Sequence, residues 1–233
     1  MKALAPVSCL AIILVLFAGC GRPEGSRLMA AGSAYGLPLA STKPGQLPAG
    51  WVVAATNPQG ELARWQVVAD SQAAGKPPIL AITELPDKSN RHYNLCWTKD
   101  LAFRDGTIEV KVRADSGVRD QGGGPIWRVT DARNYYIARY NPLESNFRLY
   151  RVQDGRRTQL ATAEGITIRQ GEWFTIRIVV AGESMEGYLD GRKLLDVSDK
   201  TFAAGGVGLW SKADAASSFR DFTVVPAEGR RPQ

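Results

Sequence analysis

The chain has a single histidine, His92, among 233 residues, and its three cysteines stand far apart at positions 9, 20 and 96. One imidazole leaves little room for a Ser-His-Asp triad and none for a two-histidine metal site. If Cys9 leaves with an N-terminal signal and Cys20 carries lipid, only Cys96 remains, and no disulfide framework or cysteine metal cluster is then possible. Helical patterning is missing too: beyond residue 20 no segment keeps an apolar stripe at 3.6-residue spacing long enough for a substantial helix. Charge is weakly one-sided, with 29 basic against 23 acidic side chains and a net of +6, which aids solubility but is no footprint of a nucleic-acid binder. His92 itself, beside Arg91 in a polar connection, is expected to be a solvated loop residue.

The long apolar run lies at the start. MKALAPVSCLAIILVLFAGCG carries Lys2, then an apolar stretch from Cys9 to Ala18, then Gly19-Cys20. A charged start, a hydrophobic stretch and a small-residue cleavage site make an export signal. Phe17-Ala18-Gly19-Cys20 resembles the lipobox of bacterial lipoproteins, with Phe17 where that motif usually has Leu. The resemblance implies lipid on Cys20, attachment to the cell envelope through it, and the outer rather than the inner membrane, because Gly21 and not Asp follows the cysteine. Residues 1–20 therefore read as a lipoprotein signal and 21–46, rich in Gly, Pro, Ser and Ala, as a flexible tether. Residues 47–226 read as one domain and 227–233 as a disordered tail. Cys96, between Leu95 and Trp97, is expected to pack as a small buried hydrophobe.

Within 47–226 apolar and polar positions alternate almost everywhere. TIEVKVR (107–113) sets Ile108, Val110 and Val112 on one face and charged or polar residues on the other, the period of a half-buried strand. Similar runs occur at 65–69, 79–83, 173–180, 185–189, 206–210 and 219–225. Asp-Gly pairs at 105, 154 and 190 supply hairpin turns, since both positions of such a turn must tolerate positive φ. A dozen or so short strands with regular turns predict an all-β fold: two antiparallel sheets face to face, a sandwich or jelly roll. The near-continuous run IRIVVA (176–181) suits a central strand covered on both faces. Trp173 and Trp210 are expected in the core between the sheets, and Gly122, Gly123 and Gly124 mark a close approach that side chains would block.

Four stretches, GGGPIWRVTDARNYYIARYN (122–141), GEWFTIRI (171–178), GYLDGRKLLDVSDKTF (187–202) and GGVGLWSKADAASSFRDF (205–222), resemble the concanavalin A-like lectin/glucanase superfamily. The resemblance is to its laminin-G-like and 3-keto-disaccharide hydrolase types and covers roughly residues 50–225. It implies a concanavalin A-like jelly roll whose relatives include sugar binders, glycosidases and adhesion modules. It implies no cofactor; a structural calcium, present in some relatives, has weak support because the closing strand reads Arg220-Asp221.

The chemistry read from the residues favours binding over catalysis. Glycosidases need two carboxyl groups facing one another across the scissile bond, and the Glu-x-Asp-x-x-Glu strand of laminarinase-type relatives is absent. Glu109 and Glu144 remain as weak candidates for acid or base in a glycoside hydrolase-like alternative. Between Arg119 and Arg157, by contrast, eight arginines and no lysine are interleaved with Trp127, four tyrosines and Phe147. Guanidinium forks and aromatic faces together suit a glycan. Arg128, Tyr136, Arg139, Asn141 and Arg148 are thus the candidate ligand residues. The expected protein is a lipid-anchored, extracytoplasmic carbohydrate binder, with the hydrolase-like enzyme and a laminin-G-like protein-interaction module as alternatives.

Overall fold

The computed structural model describes residues 27–29, 33–86 and 89–228; the stretch read as an export signal, Cys20 and the last five residues lie outside them. In chain order the strands are β1 (Arg27–Leu28), β2 (Tyr35–Gly36), β3 (Trp51–Thr56), β4 (Arg64–Ala69), β5 (Pro78–Glu84), β6 (Tyr93–Phe103), β7 (Gly106–Ser116) and β8 (Gly124–Asp131). They continue with β9 (Asn134–Asn141), β10 (Asn146–Gln153), β11 (Arg156–Glu164), β12 (Trp173–Ala181), β13 (Ser184–Leu189), β14 (Arg192–Ser198), β15 (Gly205–Lys212) and β16 (Ala216–Pro226). One sheet runs β1-β6-β15-β8-β9-β10-β11 with β3 also on β6, and the other runs β14-β13-β12-β7-β16-β5-β4 with β2 on β16. Every pairing is antiparallel except β1 on β6. This is the expected two-sheet sandwich.

The alternation in the sequence decides what lies between the sheets. Ile108, Val110 and Val112 of β7 and Phe174, Ile176, Ile178 and Val180 of β12 meet Trp127, Tyr136, Tyr140, Phe147 and Leu149 from the other sheet. Burying a large apolar side chain contributes about 1.5–3 kcal/mol each, so this layer is the main source of stability. The run IRIVVA is covered on one face only: Ile176, Ile178 and Val180 are buried, whereas Arg177 and Val179 stay half-exposed. Trp173 and Trp210 also depart from expectation. Phe174 and Leu209 take the inward positions, so both tryptophans point away from the inter-sheet core.

Two further expectations are corrected. Part of the stretch read as a tether is built into the sandwich: Leu39 is buried in the core, the Tyr35 hydroxyl accepts a 2.8 Å bond from Trp51 Nε1, and Gln46 O accepts from Val67 N. Met29, Tyr35 and Leu37 also pack against the core, despite the loop-like composition around them. His92 does lie in a connection but is fully buried, and its carbonyl accepts a bond from Ala213 N. Cys96 is buried as expected, and burial pushes its thiol far above the ordinary range.

The first sheet curls around its outer face. Thr56, at the end of the marginal strand β3, bonds through its hydroxyl to Ala132 O, and Asn57 Nδ2 donates to Gly155 O at 2.9 Å, so one margin reaches the turns of the other. Inside the curl lies a second hydrophobic cluster made of Tyr93, Leu95, Trp97, Ile126, Val129, Tyr135, Ile137, Tyr150, Val152 and Trp210. Glycines make it possible. A Cβ on Gly206 or Gly208 would drive into Trp97, which lies across the bare backbone of β15, and Cβ atoms on Gly122, Gly123 and Gly124 would strike the carbonyls of Tyr140, Trp210 and Ala138.

Candidate functional site

The structure scatters the predicted residues before it gathers some of them. Tyr136 is buried between the sheets, stacked on Trp127 at 5.7 Å, with its hydroxyl on the Asp199 carboxylate at 2.5 Å. Arg128 does not point outward. It sits at a bulge with φ of +51°, is 2% exposed, and its guanidinium donates to the carbonyls of Arg104, Phe202 and Gly182 and to Asp105 Oδ1. That clamp ties three loops at one end of the sandwich. Glu109 faces outward from the other sheet, opposite Arg177 in register. Glu109 and Glu144 therefore lie on opposite outer faces, and no catalytic pair forms between them.

Arg139, Asn141, Glu144 and Arg148 do come together, on the outer face of β9 and β10 and the turn between them. Asn141 builds the turn. Its Oδ1 accepts from Leu143 N at 2.9 Å and Glu144 N at 3.3 Å, while its Nδ2 donates to Asp120 Oδ1, whose other oxygen holds Lys212. Glu144 is thereby presented to two guanidiniums, Arg139 Nη2 at 2.7 Å and Arg148 Nη1 at 3.1 Å. Arg148 continues to Glu164 at 3.0 Å. On the other side Arg139 donates to Asn146 Oδ1 and to the Tyr150 hydroxyl.

The line ends at Arg157 of β11. Its guanidinium lies over the rings of Tyr150 at 4.4 Å, Tyr93 at 5.2 Å and Trp210 at 5.7 Å. The aromatic floor is thus covered by cations, and what solvent meets is guanidinium rather than ring. Sequence reasoning left Arg157, Tyr150 and Glu164 out of the candidate ligand residues. A signal existed: the Asp154-Gly155 turn, with φ of +51° and +77°, sets Arg157 opposite Val152 and so on the face of Tyr150.

Electrostatics define what this face can do. Burial would raise the Glu144 carboxyl, but hydrogen bonds and charge from Arg139, with Asn146 and Arg148, outweigh it and hold it below its ordinary value. Glu164 is also lowered, by its bonds from Thr162 and Arg148. Both are ionised at neutral pH, so neither serves as the protonated general acid that two-carboxylate glycoside hydrolysis requires. Among the described residues no group of three or more His, Cys, Asp or Glu side chains is placed to hold a metal ion. Asp221, the residue relevant to calcium, turns its carboxylate to Lys111 at 2.9 Å. A cleft of about 330 Å³ opens nearby between the end of β11 and the β13–β14 hairpin, lined by Ile166, Ile168, Leu189 and Leu194 with Glu164 and Arg192 at its rim.

Comparison with known proteins agrees with the fold. The family model described as the 3-keto-alpha-glucoside-1,2-lyase-like domain matches residues 44–225. The carbohydrate binding module CBM66 from Bacillus subtilis is similar with a TM-score of 0.59 at 18% identity, covering 75% of this chain and 95% of that one. A Bacillus subtilis protein of unknown function with a galectin-like fold has a TM-score of 0.54 at 12% identity, over 87% and 98% of the two chains. The exoplasmic/lumenal domain of VIP36, in a Ca2+/Man2-bound form, has a TM-score of 0.53 at 11% identity, over 85% and 90%. No match was found among curated proteins.

Proposed function

The chain belongs to the 3-keto-alpha-glucoside-1,2-lyase-like domain family, and from that premise we propose that it is an exported, lipid-anchored protein whose sandwich binds carbohydrate on the outer face of its first sheet. The observation that carries this reading is the continuous line Arg148, Glu144, Arg139, Tyr150, Arg157 across β9, β10 and β11. Guanidinium forks and carboxylates are the donors and acceptors that pairs of sugar hydroxyls take, and the rigid strands fix their spacing. The similarity of fold to a carbohydrate binding module supports the same reading. Binding here relies on hydrogen bonds from the covering cations more than on stacking, because the rings lie beneath them.

A second reading, an enzyme on sugars, is favoured by the family's description and by Glu144, an ionised carboxylate at the rim. One base of that kind suits an elimination better than a hydrolysis, though the guanidiniums that keep it ionised also weaken it as a base.

The test is a glycan array and a turnover screen, including 3-keto-glucosides, on the full chain in detergent micelles. Retention on a glycan, reduced by Arg148→Gln, is expected. Turnover abolished in Glu144→Gln would favour the enzyme. Neither retention nor turnover on any glycan would overturn carbohydrate as partner and leave a protein-interaction module.

A further inference from the structure

The cations of the curled face are not equivalent. Arg139 and Arg148 are neutralised by Glu144 and Glu164, and Lys212 by Asp120. Two are not. Arg157 packs on Tyr93, Tyr150 and Trp210, and its Nη1 is shut away from water without a hydrogen-bond acceptor. Lys99 lies over the Trp97 ring at 5.3 Å, on the same outer face, with four strands between β6 and β11 along the sheet. Neither makes an ion pair with an acid among the described residues. A guanidinium over an aromatic floor is partly stripped of water, so its charge acts over a lower dielectric than at an open surface. Burial against rings leaves that charge in want of a counter-ion.

Resting on the carbohydrate reading above, we propose that the ligand is an acidic glycan, one carrying carboxylate groups, and that Arg157 is the residue that receives a carboxylate. Glu144 and Glu164 fit this arrangement as well. They neutralise Arg139 and Arg148 and leave Arg157 as the unpaired cation at that end of the line, so that an acidic chain takes one register on β9, β10 and β11. A neutral sugar would leave Arg157 as it is, with its charge unanswered.

The experiment is titration calorimetry of the full chain in micelles at physiological ionic strength, with a galacturonate oligosaccharide and a maltooligosaccharide of equal length. Wild type is compared with R157Q, R157K and R177Q, the last a guanidinium over Tyr188 on the opposite outer face. The galacturonate chain should bind, R157Q should weaken it at least tenfold, and R177Q should leave it unchanged. R157K, which keeps charge and stem, carries the test if R157Q does not fold; it should bind galacturonate more weakly than wild type because it loses the planar fork. Equal losses in R157Q and R177Q would mean attraction to net charge alone and overturn the assignment. Equal affinity for the neutral chain overturns it too, while leaving carbohydrate binding in place. Binding of neither chain, with a neutral glycan held on the array, again sinks only the acidic ligand; silence on the array as well sinks both readings.

Discussion

Arg113 Nη1 lies 2.8 Å from the Asp70 carboxylate, and their side chains are only 5% and 0% exposed. Asp70 depends on this arginine and on the Gln72 amide, whereas Arg113 also reaches Asp115 and Ser218. The two partners should therefore respond unequally. Arg113→Met leaves a buried carboxylate without its counter-ion and should destabilise the protein by about 3–5 kcal/mol. Asp70→Asn, which leaves Arg113 on Asp115, should cost clearly less. Urea denaturation of both variants measures the difference, and equal losses would contradict it.

Acid should unfold the protein through the same groups. Burial alone would raise Asp70, but Arg113 and the Gln72 amide more than offset it and hold the carboxyl below its ordinary value. Asp214 is likewise lowered, burial being outweighed by the amides of Val118, Arg119 and Asp120. A folded-state pKa below the unfolded value of about 3.9 means that each contribution is complete above that pH and is lost as pH falls through the folded pKa. Thermal melts should thus be flat with respect to these groups from neutral pH to about 5 and fall steeply below about 4. Arg113→Met should lose part of that steepness, since its Asp70 no longer titrates low.

Gly208 should not accept even alanine. A Cβ there would stand 2.5 Å from Cys96 O and closer still to Trp97. Because the obstacle is the backbone of β6 and the Trp97 Cβ fixed to it, relief requires moving β6, and we expect a loss of about 3 kcal/mol or failure to fold. Gly36→Ala, with open space around the new carbon, should melt within a few degrees of wild type.

Cys20→Ser should shift the protein from the membrane fraction to the soluble fraction of the envelope. Retention of the serine variant in the membrane would count against lipidation and point to an uncleaved apolar span.

Much of the architecture was written in the residue pattern. Ile108, Val110 and Val112 announced a half-buried strand, and the phase set by Phe174 and Leu209 would have turned Trp173 and Trp210 outward had it been followed. Arg128 escaped for a local reason: its left-handed backbone breaks the two-residue period, so a neighbour of an inward tryptophan need not face out. The second core escaped for a global one. Thr56 bonds to Ala132, 76 positions away, and a closure of that kind leaves no periodic trace in either stretch. The site was half legible, because arginines were countable but their acid partners were not.

The pairing of Arg27 and Leu28 beside Leu101 and Ala102 of β6 sets a mooring length. Only residues 21–26 separate Cys20 from the first strand, and an extended chain spans at most about 3.5 Å per residue. A lipid on Cys20 would therefore berth the sandwich within about 25 Å of the bilayer, close against the membrane surface. Such a protein would meet polymers lying along its own envelope and could not sweep a distant volume for them.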